Sequence, residues 1–269
     1  MARVAFPSYD VQTVAGRGGG VGTFIKHFAK QLRDDGDDVA IIYATGFPSP
    51  ARVDQKWRDI YRSWGIEVIE IHNTPSSAHR WPDMWAMRLS EQLAPVLRSF
   101  DVVYFQDWGN LAFHTVRQKR FTTSRMPTCV TVLHGASTWD RLGSRERPTI
   151  PADLNLEFQE RYSAEHSDFV VAPSRHLVDY VEREGWKFHR TPEAIGLPIS
   201  PHHSPDIPPH AGEISRIVLF GRIQKLKGYD IFAKALLRLA QTWPDALRRV
   251  DEIVLLGMEV DAGGVDWVR

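Results

Sequence analysis

The strongest constraint on this sequence is an alternation. Short apolar runs give way to amphipathic stretches and return, almost from end to end. Arg3–Phe6 reads as a first strand, and a loop from Pro7 to Gly20 follows it. Val21, Phe24, Ile25, Phe28, Ala29 and Leu32 then recur at helical spacing. Gly36 is a stop signal, and Val39–Tyr43 is the next strand. The rhythm predicts further strands at Ile66–Ile71, Val102–Gln106, Val130–His134 and Phe169–Ala172. Between them it predicts helices over Asp83–Phe100, Leu111–Lys119, Leu154–His166 and His176–Glu184, with Pro95 bending the first of these. Such alternation requires a parallel sheet covered by helices, joined by right-handed crossovers. The expected fold class is therefore α/β and Rossmann-like.

Composition shifts after residue 196. Pro198, Pro201, Pro205, Pro208 and Pro209 crowd a polar stretch, so residues 197–214 read as a linker. It separates an N-terminal domain, 1–196, from a second one, 215–269. There the rhythm restarts with strand Ile217–Phe220, helix Tyr229–Thr242 and strand Ile253–Leu256. One such unit cannot bury its own sheet. The second domain is expected to be the beginning of a Rossmann-like domain, C-terminally truncated. Apolar faces near Ile231, Phe232 and Leu236 would then be open to self-association.

Lys+Arg and Asp+Glu are both 33, which argues against a general affinity for nucleic acid. The single cysteine, Cys129, excludes an internal disulfide framework and fits a reducing compartment. The N-terminus lacks the apolar region of a signal peptide, and no stretch reaches the roughly 18 apolar residues of a membrane span. These features predict a cytoplasmic protein whose membrane contact is peripheral at most. Arg117, Lys119, Arg120 and Arg125 read either as solvated surface or as a face for anionic lipid or an acidic acceptor. His202, His203 and His210 fall in the linker without typical ligand spacing, so no metal site is expected.

Three places could carry chemistry. Gly18–Thr23, GGGVGT, precedes a helix, where glycine lets backbone N–H groups approach an anion and the helix field favours phosphate. A mobile loop without ligand is the plain alternative. The spacing is wrong for a dinucleotide fingerprint, because about a dozen residues separate strand and glycines. Gly221–Gly228, GRIQKLKG, directly follows the second domain's first strand. Arg222 and Lys227 there could neutralise a diphosphate, with Lys225 at a different offset; otherwise this is a solvated basic turn. His134-Gly135 closes a strand, where histidine can hydrogen-bond a sugar hydroxyl, handle a proton, or merely satisfy local backbone. Asp107-Trp108 follows another strand and could line an acceptor site, Trp108 stacking on a sugar face or packing in its loop. Ser174 lacks a nucleophile-elbow context and receives no hydrolase role.

In this order the motifs resemble the family-four retaining glycosyltransferases with the GT-B fold, over essentially the whole chain. The glycine loop is Gly19-Gly20-Val21-Gly22, and the strand-closing histidine is His134. An acidic helix leading to a strand and serine is Glu157–Ser174. Pro192–Ser200 fits the segment before the linker, with Gly196 in place but Ile195 for the usual asparagine. Gly221-Arg222 and Lys227-Gly228 match the glycine-arginine and lysine-glycine pairs, the most specific element. The resemblance implies a nucleotide-diphosphate-sugar donor, a sugar, lipid-linked or small-molecule acceptor, and retention of configuration. It implies that Arg222 and Lys227, helped by the backbone of Gly19 and Gly20, meet the diphosphate without a cofactor or metal. It implies that His134 orients a sugar or the incoming hydroxyl. The family's two glutamates with seven residues between them have no counterpart: Glu252 and Glu259 have the wrong spacing. A non-catalytic glycan- or protein-binding relic and a nucleotide-sugar epimerase stay open as rivals.

Overall fold

The computed structural model describes residues 1–12, 19–45, 52–72, 82–123, 125–198 and 215–257. Two compact units result: Met1–Ser137 with Thr149–Pro201, and Thr138–Pro148 with His202–Arg269.

The first unit runs β1 (Arg3–Ser8), α1 (Gly20–Asp34), β2 (Asp38–Thr45), α2 (Gln55–Ser63), β3 (Glu67–His72), α3 (Pro82–Leu97), β4 (Val102–Gln106), α4 (Phe113–Phe121) and β5 (Thr128–Val132). After α5 (Ser137–Ser144) come α6 (Pro151–His166), β6 (Phe169–Ala172), α7 (Arg175–Arg183) and β7 (Glu193–Ala194). The seven strands pair in parallel in the order β3-β2-β1-β4-β5-β6-β7.

Both faces of this sheet are buried, as a parallel sheet requires. Alternate residues of each strand serve opposite layers. In β2, Ala40, Ile42 and Ala44 join Leu89, Leu93 and Leu97 of α3 in one core. Val39, Ile41 and Tyr43 join Ile25 and Ala29 of α1 and Tyr61 of α2 in the other. Pro95 lies inside α3, near its end.

The alternation missed α2. Its composition is strongly polar, and Tyr61 is its one fully buried residue. Its stripe was nonetheless readable: Trp57, Ile60, Tyr61 and Trp64 lie at helical spacing, and Asp54 caps the start by accepting the Lys56 N–H at 2.8 Å. β7 has only two residues, too few for any period to show. His134 does not close a strand as expected. β5 ends at Val132, and His134 lies two residues into the following loop.

The second unit contains β8 (Arg216–Phe220), a 3-10 turn (Lys225–Lys227), α8 (Tyr229–Thr242), α9 (Pro244–Leu247) and β9 (Glu252–Leu256). β8 and β9 pair in parallel in register, Arg216 opposite Glu252, and these two side chains form an ion pair at 2.6 Å. Among its described residues only Tyr229 is buried. Ile231 is exposed, while Phe232 and Leu236 are half-buried. Most of α5 belongs to this unit: Gly143 abuts the Leu226 side chain so closely that a β-carbon would not fit, and Arg145 pairs with Asp230 at 2.9 Å. Desolvation pushes the Asp230 carboxyl up, but the charge and hydrogen bond of Arg145, the Ile231 N–H and the charge of Lys234 together hold it below its usual range.

No helix among the described residues is long and apolar enough to cross a membrane.

Candidate active site

The order β3-β2-β1-β4-β5 reverses direction between β1 and β4, and open α/β sheets bind ligands beyond the C-terminal ends of the strands at such a switch point. Ser8 and Tyr9 at the end of β1, Val21 of α1, Gln106 at the end of β4 and Trp108 beyond it line one small pocket there. Its volume is about 10 Å³. That is room for roughly one water molecule, so a sugar would have to lie outside it. Trp108 is 49% exposed on its rim and meets the Tyr9 ring edge-on at 6.5 Å.

The glycine loop enters this region by packing. Asp10 accepts the N–H of Gly19 from Oδ1 and that of Gly22 from Oδ2, each at 3.1 Å. Its carboxylate thus satisfies two of the donors at the N-terminus of α1. Gly22 is needed because a β-carbon would come within 2.9 Å of Asp10 Oδ1 and 3.0 Å of the Val11 carbonyl carbon. Around Gly20 the space is open. Gly18 lies outside the described residues. The Gly19 N–H that was expected to meet a diphosphate is held here by a side chain of this chain.

His134 sits where α1, β4 and β5 converge. Phe24 of α1 meets its ring edge-on at 4.9 Å, and its Nε2 lies 2.6 Å from Gln106 Oε1. Burial lowers its imidazole pKa to about 4, so the ring is neutral at physiological pH. Its backbone N–H and that of Gly135 both donate to Asp107 Oδ2, at 3.0 and 3.1 Å.

Asp107 is consequently not an open lining residue. It is 2% exposed, and its Oδ1 is buried without a partner among the described residues. Burial raises its carboxyl pKa to about 7, with the charge of Glu160 adding and the backbone N–H donors opposing. Sequence reasoning missed Glu160, the other carboxyl here. Fully buried, it accepts the Gly109 N–H at 3.0 Å, the Ser137 hydroxyl at 2.9 Å and the Ser137 N–H at 2.8 Å. It ties the loop after β4 to the start of α5. Nothing in its spacing marked it apart from the other acidic residues of α6.

In the second unit, Arg222 and Lys227 are exposed on the turn after β8, and among the described residues neither has an ion-pair partner. Gly221 (φ 142°) and Gly228 (φ 75°) adopt backbone angles that favour glycine and frame this turn. Lys225 is exposed in the same 3-10 turn.

Lys119 binds Asp168 and the Pro127 carbonyl, so it supports the fold. Arg117 and Arg120 are exposed, and Arg125 lies 4.0 Å from Asp101. Ser174 caps α7. Burial raises the Cys129 thiol pKa to about 12. No cluster of three or more His, Cys, Asp or Glu suited to a metal occurs among the described residues. His202, His203, His210 and Glu259 lie outside them.

The fold is that of GT-B glycosyltransferases. HepE of Anabaena, solved in complex with UDP and glucose, is 13% identical with a TM-score of 0.54, covering 97% of this chain and 70% of its own. LpCGTa, solved in complex with UDP, is 14% identical with a TM-score of 0.53, covering 97% of this chain and 71% of its own. At these identities the likeness concerns the fold. A comparison with curated proteins returns no similar sequence. The chain belongs to the glycosyl transferase 4-like domain family, whose sequence model matches residues 19–192. It is thus a glycosyltransferase.

Proposed function

We propose that the protein transfers a sugar from a nucleotide-diphosphate-sugar to an acceptor hydroxyl with retention of anomeric configuration. The observation that carries this reading is the family match over residues 19–192, which includes His134 against Gln106 at the end of β4. That HepE and LpCGTa were solved with UDP supports a nucleoside diphosphate as the leaving part of the donor.

In this mechanism the bond from the anomeric carbon to the diphosphate oxygen breaks as the bond to the acceptor oxygen forms on the same face. The acceptor proton passes to the departing phosphate. Negative charge grows on the diphosphate, and donors already placed to meet it lower the barrier. Arg222 and Lys227 supply that charge, Arg222 with a fork suited to phosphate oxygens and Lys227 as a point charge. They take the place of a divalent ion. Neutral His134 orients a sugar hydroxyl. Trp108 and Tyr9 offer aromatic surface for the acceptor.

The test is product analysis with an isotopically labelled donor. A glycoside with the donor's anomeric configuration is expected. An inverted product would overturn retention. A free, altered sugar would favour epimerisation, and no turnover of any donor would oppose the transferase reading.

A further inference from the structure

We infer that Gln106 is a positioning residue for sugar transfer: it fixes the proton of His134 on Nε2 and leaves Nδ1 as an acceptor for a neutral hydroxyl. This rests on reading His134 as a sugar contact.

Gln106 is the last residue of β4 and is buried. Its side-chain nitrogen donates to the Tyr104 carbonyl at 3.1 Å. With the NH₂ group so held, the amide oxygen is the atom facing His134, 2.6 Å from Nε2. Turning the amide over would set its oxygen against the Tyr104 carbonyl oxygen, two acceptors with no hydrogen between them. An amide oxygen only accepts, so Nε2 must bring the hydrogen. A neutral imidazole with Nε2–H carries its lone pair on Nδ1.

The rest of the ring's setting is equally defined. Phe24 packs against it edge-on, and Asp107 holds the backbone N–H groups of His134 and Gly135. None of these contacts uses Nδ1, which has no partner among the described residues. The side chains of Gln106 and Phe24 carry no charge; the carboxyls of this network belong to Asp107 and Glu160. A free lone pair on Nδ1 accepts a hydrogen bond from a hydroxyl and repels a carboxylate or phosphate oxygen. Gln106 would thereby select a sugar with a neutral hydroxyl at this position over one with a carboxylate there.

The experiment is a long-range ¹H–¹⁵N spectrum of the full chain labelled with ¹⁵N-histidine, with His134 assigned by the signals lost in His134→Gln. The expected result is a protonated Nε2 and a bare Nδ1 from pH 5.5 to 8. Gln106→Glu, which puts a carboxylate opposite Nε2, should raise the imidazole pKa and protonate both nitrogens near neutrality. Transfer by that variant should fall about 10-fold or more at pH 7 and recover as the pH rises above the new pKa. A proton on Nδ1 in the unsubstituted protein, or an unchanged pH profile in Gln106→Glu, would overturn the inference. A bare Nδ1 in a protein that turns over no donor would sink the transferase reading while leaving the proton's position as assigned.

Discussion

Gly19–Gly22 and Gly221–Gly228 each join a strand to a helix, and each places glycines beyond a strand's C-terminal end. The first turn is closed on itself. Two of its N–H groups are held by Asp10, and Gly22 is required by the approach of residues 10 and 11. The second turn presents charge. Arg222 and Lys227 are exposed and have no ion-pair partner among the described residues. Glycine beside a helix N-terminus therefore does not by itself define a phosphate site. The donors must also be unclaimed, and one carboxylate from the preceding loop can claim them.

The largest effect expected from this contrast is at the second turn. Arg222→Ala with Lys227→Ala should lower sugar transfer by about 100-fold or more, in line with the loss of a donor that meets transition-state charge. Thermal unfolding should be nearly unchanged, since neither side chain is buried. Full turnover would break the comparison at its more important end.

The carboxyl that holds the His134 and Gly135 N–H groups should show itself in stability instead. Asp107 has a folded pKa near 7, above the unfolded value for a carboxyl. Between those values the folded protein holds a proton that the unfolded chain has released. Asp107 therefore favours folding less as pH rises from about 4 to 7, by an amount on the order of 3 kcal/mol. Asp107→Asn should remove this dependence, and its stability relative to the unsubstituted protein should improve from pH 5 to pH 7. Denaturant midpoints at the two pH values check it; a constant difference would contradict it.

At Asp10 the effect should be smaller. Asp10→Ala removes the acceptor for two helix donors and should cost about 1–2 kcal/mol of stability. Donor affinity should stay the same, because this turn is assigned to packing. Smallest of all is Gly20→Ala, where open space surrounds the added methyl group. Its effect on stability should stay within about 0.5 kcal/mol. A large loss of donor affinity in this variant would return the first turn to a phosphate role.

These contrasts also mark how far the sequence could be read. The strands Val102–Gln106 and Phe169–Ala172 and the helix Tyr229–Thr242 stand where the apolar periods put them, because each element's burial repeats along the chain. Contacts between distant segments leave no such period. Asp10 reaching Gly22, Gln106 reaching His134 and Glu160 reaching Ser137 each join side chains to groups far along the chain. His134 was visible as a residue of interest, but its ring environment was not. Asp107 was expected to line an acceptor site beside Trp108, and nothing in the sequence showed that its carboxylate would instead hold the backbone N–H groups of His134 and Gly135. The packing of Gly143 against Leu226 was similarly invisible, since α5 offered too short a stripe to be recognised.

The most direct test of the contrast between the two turns is calorimetric titration with a panel of nucleoside diphosphates, comparing the unsubstituted chain with Arg222→Ala/Lys227→Ala and with Asp10→Ala. The expected result is binding of at least one diphosphate that weakens 10-fold or more in the double variant and is unchanged in Asp10→Ala. Binding that survives loss of both cations but falls with Asp10→Ala would place the diphosphate at the first turn and contradict the account.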